Sequence, residues 1–292
     1  MPIESTSSGL SPATAAAEQQ LRKLLRGMGE TLVAFSAGVD STYLLALAHQ
    51  ELGARVRAVT ADSASLARSS LAEARAFCAA RGIEHLVVAT DEFERQAYVE
   101  NVGQRCYECK AALFRAMHGL VAATAFERGD HTALLLGAVV DDFADVRPGL
   151  RAAAEAGAQW PLVDAKFSKE MVREASKHLQ LVTWDRPAEP CLSSRFPYGE
   201  VVTVEGLRMI EGAEVLLREH GFANCRARHH SVGQGRGALC RIEVPSEHLA
   251  AVVAQREPLL RGLRALGYHF ISLDLQGFNS GGFNQLLTDK ER

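Results

Sequence analysis

The sequence predicts an α/β protein: a parallel sheet with helices on both faces, followed by a second, smaller C-terminal α/β domain. Three observations carry this. Short apolar runs alternate with helix-period segments from residue 31 to residue 184. A loop of small residues, Ser36 to Ser41, joins one apolar run to the helix behind it. Beyond the aperiodic Pro-, Ser- and Arg-rich segment 185–199, the order of the elements changes.

Residues 1–15 are rich in Ser, Thr, Ala and Pro and have no period, so a mobile tail is expected. A helix follows, with Leu21, Leu24 and Leu25 at helical spacing. Residues 31–35 form a short apolar run, hence a buried strand. It feeds the Ser/Gly loop and a helix through Tyr43, Leu44, Leu45, Leu47 and Ala48. A strand is expected over 55–60 and a helix over 66–81, stopped by Gly82. A third strand over 85–89, a helix over 111–128 and a fourth strand over 131–136, ending at Gly137, complete the alternation. A helix over 169–179 precedes a short segment at 181–184. Ligands of such sheets bind at the carboxyl ends of the strands, which points to the loops after Phe35, Thr60 and Leu136. The second domain reads as a helix over 203–220, strands near 226–229 and 238–244, a helix over 246–266 and a strand over 268–274. The expected division is a tail at 1–15, a first domain at 16–198 and a C-terminal domain at 199–292.

Hydrophobic residues make up 47% of the chain and charged residues 23%, the balance of a soluble globular protein. A formal net charge of -3 gives no support to nucleic acid as the main partner. The N-terminus has no basic start followed by an apolar stretch, and no apolar run is long enough for a bilayer. A cytoplasmic protein that does not enter a membrane is expected. There the six cysteines should bind metal or do chemistry rather than form disulfides.

In the loop Ser36-Ala37-Gly38-Val39-Asp40-Ser41, small residues admit an anion close to the backbone, and the helix N-terminus offers N–H groups and a positive dipole end. Ser36 and Ser41 add hydroxyl donors. Asp40 makes sense beside phosphates if it helps to hold Mg²⁺. Ser63, at the end of the second strand, reads equally as a nucleotide contact or a helix cap. Asp141, Asp142 and Asp145 read equally as Mg²⁺ ligands or caps. Cys106 and Cys109 could be half a zinc site, a redox pair or two ligands of an iron–sulfur cluster; no second such pair completes a zinc site of four cysteines. Cys191 stands beside Ser193, Ser194 and Arg195, where a cation favours thiolate; the plainer alternative is a buried loop cysteine. Arg226 and Arg228 share one face of a strand and suit a phosphate or carboxylate, with a solvated surface as the alternative. Cys78, Cys225 and Cys240 read as core, and His229 and His230, on opposite strand faces, as structural or surface residues.

The Ser36–Ser41 loop resembles the PP-loop of ATP pyrophosphatases, S-G-G-x-D-S, with Ala37 at a position usually held by Gly. An alanine is tolerated there if its φ is negative. No Gly-Lys-Ser/Thr follows, so it is not a Walker A loop. Further strings match: Arg105 to Lys110, Gly137 with the three aspartates and Arg147-Pro148-Gly149, Trp184 to Ala188, and Cys191-Leu192-Ser193-Ser194-Arg195 through Tyr198. With Leu273 to Phe278 and Asn284, they make the chain similar, from about residue 20 to 285, to the ATP-dependent sulfur transferases that mature lactate racemase (the LarE family).

This resemblance implies a PP-loop ATP pyrophosphatase domain that binds ATP and Mg²⁺ through residues 36–41, with Ser63 and Arg195. It implies adenylation of a carboxylate of pyridinium-3,5-biscarboxylic acid mononucleotide, followed by sulfur attack to give a thiocarboxylate, with release of pyrophosphate and AMP. In some members the cysteine at the Cys191 position gives up its sulfur and becomes dehydroalanine. In others three cysteines hold a 4Fe-4S cluster whose remaining iron carries sulfide. The presence of Cys106 and Cys109 with Cys191 favours the cluster, fed by sulfide or a sulfur donor. Glu214, Arg226 and Arg228 are implied to serve the substrate, and a homo-oligomer is implied. A tRNA thiolation enzyme is the main rival; the acidic net charge and the lack of a recognisable RNA-binding module argue against it.

Overall fold

The computed structural model describes residues 9–128, 132–143 and 147–278. His131, Asp145 and Asn284 lie outside the described residues. In chain order the elements are α1 (Pro12–Arg26), β1 (Thr31–Ala34), α2 (Val39–Leu52), β2 (Val56–Asp62), α3 (Arg68–Arg81), β3 (Glu84–Ala89), α4 (Gln96–Val99) and α5 (Arg105–Arg128). There follow β4 (Ala133–Leu136), α6 (Pro148–Glu155), α7 (Pro161–Asp164), α8 (Lys169–His178), α9 (Val204–Glu219), β5 (Arg226–Val232), β6 (Gly237–Glu243), α10 (Leu249–Ala254), α11 (Arg256–Ala265) and β7 (Phe270–Leu273). The chain forms two compact units. The first lies within Met1–Ser63, Arg68–Thr90 and Cys109–Glu189; the second lies within Ala64–Ala67, Asp91–Glu108 and Pro190–Arg292.

The first unit is built on a four-stranded parallel sheet in the order β3-β2-β1-β4. Successive strand residues face opposite ways, so the sheet feeds two cores. Val33, Phe35, Ala58 and Leu135 pack with α1, α2, α3 and α8. Leu32, Ala34, Val59, Leu134 and Leu136 pack with Leu113, Phe114 and Met117 of α5 and Ala153 of α6. Helices therefore cover both faces, as the alternation in the sequence requires. Helix α2 is buried on nearly every side, from Tyr43 through Ala48, which is why its apolar residues run on without amphipathic spacing.

Several boundaries differ from expectation for local reasons. Helix α1 begins at Pro12, inside the stretch read as tail. Ser11 caps it, accepting from the Thr14 N–H at 3.3 Å, and proline suits the first helical position. Helix α5 begins at Arg105, so Cys106 and Cys109 lie in its first turns rather than in a loop. Residues 182–185 form a turn. The helix expected over 246–266 is two helices, parted at Gln255. Pro258 has no N–H to continue the first of them, so it sits in the opening turn of α11.

The second unit carries a three-stranded sheet, β5-β6-β7, with β5 and β6 antiparallel and β6 and β7 parallel. Ala227, Cys240 and Ile242 on one face pack with Ala213 and Leu217 of α9, Leu259 and Leu263 of α11, and Tyr268. Cys78, Cys225 and Cys240 are buried core thiols. Burial pushes Cys78 up to about 11 and Cys225 and Cys240 up to about 12. His229 is buried against Phe196 and Tyr268, which lowers its pKa, while His230 is half-buried. No helix among the described residues is long and apolar enough to cross a membrane.

Candidate active site

Strand β1 ends in the loop, and Gly38 caps α2 with extended backbone and no side-chain hydrogen bond. The first N–H groups of α2 therefore have no intrahelical acceptor, the condition for anion binding. The loop is braced from inside. The hydroxyls of Ser36 and Ser41 are 3.1 Å apart, Ser41 Oγ donates to the Gly38 carbonyl at 3.2 Å, and the Gly38 N–H donates to Ser36 Oγ at 3.4 Å.

Ala37 is buried with φ 57°, so it does not have the negative φ under which the sequence reading tolerates its methyl group. Left-handed backbone strains a residue with a β-carbon. The Ala37 carbonyl accepts from Arg186 Nη1 at 3.2 Å, and the same nitrogen lies 2.5 Å from a Glu73 oxygen. Beneath the loop, Thr60 Oγ1 donates to the Phe35 carbonyl at 2.7 Å. That commits its proton, so His85 Nε2, 2.8 Å away, acts as donor to Thr60. Gly137, after β4, faces the loop from the next strand. A β-carbon there would lie 2.9 Å from Ser41 Cα and N, so only glycine allows this approach.

Asp40 has its pKa raised to about 6, by burial first and then by Asp142 and Asp141, against the opposing Lys169 and Arg173. Asp142 accepts from the Val139 N–H at 3.1 Å and pairs with Arg147 at 2.6 Å and Lys169 at 3.1 Å. Asp141 accepts from the Lys169 N–H at 3.0 Å at the start of α8, where Ser168 is the N-cap. The two described aspartates thus make capping and ion-pair contacts. Among the described residues no group of three or more His, Cys, Asp or Glu is placed to hold a metal ion. Asp40 still suits Mg²⁺, because that ion is commonly held by one or two carboxylates together with the phosphates of a nucleotide. Ser63 is buried, and its carbonyl accepts from Arg68 Nη2 at 2.6 Å.

In the second unit, Cys191 is exposed and starts the short 3-10 turn Leu192–Arg195. Arg195 is buried and reaches Glu214 twice, at 2.8 and 3.0 Å. Its Nη1 donates to the carbonyls of Pro190 and Cys191 at 2.6 and 3.0 Å and to Ser194 Oγ at 2.9 Å. All three guanidinium nitrogens are thus engaged, Nη1 with the Cys191 turn and Nε and Nη2 with Glu214. Glu214, fully buried, also takes Arg218 at 3.1 Å and the Ala227 N–H at 3.3 Å. Arg228 donates to the Ser194 carbonyl at 3.1 Å and pairs with Glu243 at 2.8 Å. Arg226 is half-buried with its guanidinium 5.0 Å from the Phe278 ring centre. Cys106 is exposed and Cys109 half-buried, three residues apart on α5.

Further residues, not marked as site residues by the sequence, hold the Cys191 turn. Tyr98 OH lies 2.8 Å from Ser193 Oγ. Asn101, left-handed at φ 57°, donates through Nδ2 to the Pro197 carbonyl at 2.7 Å and accepts at its own carbonyl from the Gly199 N–H at 3.0 Å. Arg105 donates to Asn101 Oδ1 at 2.5 Å and to the Ser193 carbonyl at 2.9 Å. Arg105 and Arg186 stand inside strings singled out from the sequence, but partners so distant in the chain leave no local signal.

In the first unit, an α/β domain, a buried parallel strand turns through small residues into a bare helix N-terminus with a carboxylate at the first turn. The second unit adds an exposed thiol on a braced turn. No protein-family model matches the chain. It is 38% identical over 272 residues to an uncharacterised protein of Synechocystis sp., covering 92% of this chain and 97% of that protein. It is 32% identical over 265 residues to the pyridinium-3,5-bisthiocarboxylic acid mononucleotide synthase of Lactiplantibacillus plantarum, covering 90% of this chain and 92% of the synthase. An uncharacterised protein of Methanocaldococcus jannaschii matches at 27% over 182 residues, 62% of this chain and 67% of that protein. The chain belongs to the family of the pyridinium-3,5-bisthiocarboxylic acid mononucleotide synthase.

Proposed function

We propose that the protein is an ATP-dependent sulfur insertase, acting as a homo-oligomer in the cytoplasm. It adenylates a carboxylate of pyridinium-3,5-biscarboxylic acid mononucleotide and converts it to a thiocarboxylate, releasing pyrophosphate and AMP. The observation that carries this reading is the Ser36–Ser41 loop at the carboxyl end of a buried strand, in a chain that matches a bisthiocarboxylate mononucleotide synthase over 90% of its length.

A carboxylate is a poor electrophile because its oxygen leaves badly; adenylation supplies AMP as leaving group. Residues Ser36 to Ser41 hold the phosphates, Asp40 shares Mg²⁺ with them, and Ser63 lies at the neighbouring strand end. Arg195, Glu214 and Arg228 act on Cys191 by fixing its turn, and Arg226 offers a cation to the substrate. Cys106, Cys109 and Cys191 would hold a 4Fe-4S cluster. One feature supports this set: Cys106 and Cys109 share the first turns of α5; the three thiols do not stand together as a metal-holding group among the described residues. When bound, a cluster with three protein thiolates supplies one iron open to sulfide.

The exposure of Cys191 favours a second version, in which its own sulfur is transferred and the residue becomes dehydroalanine. Metal analysis separates the two. Anaerobically reconstituted protein is expected to hold about four irons per chain, and Cys106→Ala to lose them. Retention of iron in that variant, or one turnover that leaves dehydroalanine at position 191, overturns the cluster version. Absence of pyrophosphate release with ATP and the pyridinium dicarboxylate overturns the adenylation itself.

A further inference from the structure

Arg105 is only 7% exposed, and its Nε is buried without any hydrogen-bond partner. The other deeply buried arginines of the second unit are neutralised, Arg195 by Glu214 and Arg228 by Glu243. Among the described residues no carboxylate pairs with Arg105. Its two hydrogen bonds go to the neutral oxygens of Asn101 and Ser193. A guanidinium taken out of water without a counter-charge is costly, and a fold retains one where an anion arrives to meet it.

The position of this cation is defined. It stands one residue before Cys106 and holds the carbonyl of Ser193, two residues beyond Cys191. Asn101, itself held by Arg105, clamps the backbone on either side of Tyr198. Burial raises the Tyr198 pKa, Arg105 opposes that rise, and Cys106 and Cys191 add to it.

We propose that Arg105 is an anion-binding residue beside Cys106 and Cys191, and that the anion it takes is a carboxylate of a pyridine carboxylate. The anion site stands on burial and hydrogen bonding alone; the choice of carboxylate rests on the proposed reaction. When one carboxylate of a dicarboxylate is adenylated, the other keeps its own charge and needs a cation, and Arg105 has its charge to offer.

The test uses the reduced, metal-free protein. Cys106 and Cys191 are alkylated with iodoacetate, an anion, and with neutral iodoacetamide, and each site is followed by mass spectrometry. The ratio of the two rates cancels thiol ionisation and access, which both reagents share, and reads the local charge. Arg105→Gln is expected to lower the iodoacetate-to-iodoacetamide ratio about fivefold, the factor for one nearby unit charge in a water-like medium, and Arg105→Lys to retain it. In the unaltered protein nicotinate should slow labelling by iodoacetamide while nicotinamide should not, a comparison that needs no variant to fold. An unchanged ratio in a folded Arg105→Gln protein, or equal protection by nicotinate and nicotinamide, overturns the proposal. If the unaltered protein still releases pyrophosphate with ATP and the dicarboxylate, only this inference falls.

Discussion

Ala37 holds a left-handed backbone, φ 57°, on a residue with a β-carbon, a strain of about 1–2 kcal/mol. Ala37→Gly removes it, at the cost of a more flexible unfolded chain. The variant is expected to gain about 1 kcal/mol net, read as a higher urea midpoint at unchanged slope. Asp40 makes a prediction in pH. Its pKa rises from 3.8 to about 6 because burial and Asp142 disfavour the charge. The fold thus favours the neutral form. The stabilisation is fully present below pH 3.8 and is lost as pH rises through about 6. Asp40→Asn should flatten that window in denaturant titrations taken across pH. Binding of Mg-ATP runs the other way, since it needs the carboxylate. Affinity should fall as pH drops below about 6, and this dependence should vanish in Asp40→Asn.

The loop depends on how β1, β4 and α2 meet. Gly137 leaves no room for a β-carbon against the backbone of Ser41. Gly137→Ala must push the end of β4 away from the first turn of α2. Overpacking of this kind costs about 1–3 kcal/mol, and because the displaced atoms are those of the loop, ATP binding should weaken more than stability does. Calorimetric titration beside thermal unfolding checks the two together; a variant that binds ATP as tightly as the parent overturns the argument. The Cys191 turn is held differently, by buried charge rather than close packing. Arg195, paired with Glu214, and Arg228 grip its carbonyls, and Tyr98 and Arg105 hold Ser193.

At the level of the molecule, the second unit is assembled from three stretches of chain, Ala64–Ala67, Asp91–Glu108 and Pro190–Arg292. Leu192 donates its N–H to the Ser65 carbonyl at 2.8 Å, and Val202 donates to Val99 at 2.8 Å. Residues 190–292 expressed alone would lack Tyr98, Asn101 and Arg105 and leave the Cys191 turn unsupported. Such a fragment is expected to keep a β5–β6–β7 core but to show fast amide exchange over 191–202, measured by hydrogen–deuterium exchange against the full chain. Equal protection in both would mean that those stretches do not brace the turn.

The sequence by itself determined the parallel sheet, its two covered faces, the second sheet and the Ser36–Ser41 loop. Each rests on local periodicity or on a run of small residues, which the chain displays in order. It also marked Cys106, Cys109 and Cys191, because cysteine is conspicuous wherever it falls. Only the tertiary structure decided that Ala37 is left-handed, that Arg195 pairs with Glu214 and Arg228 with Glu243 while both arginines hold the Cys191 turn, and that among the described residues Arg105 is buried with no carboxylate partner. Those facts depend on atoms brought together from up to 149 positions apart, as Arg186 is to Ala37. Burial and the pairing of charges are properties of the packed chain, so no spacing along the sequence announces them.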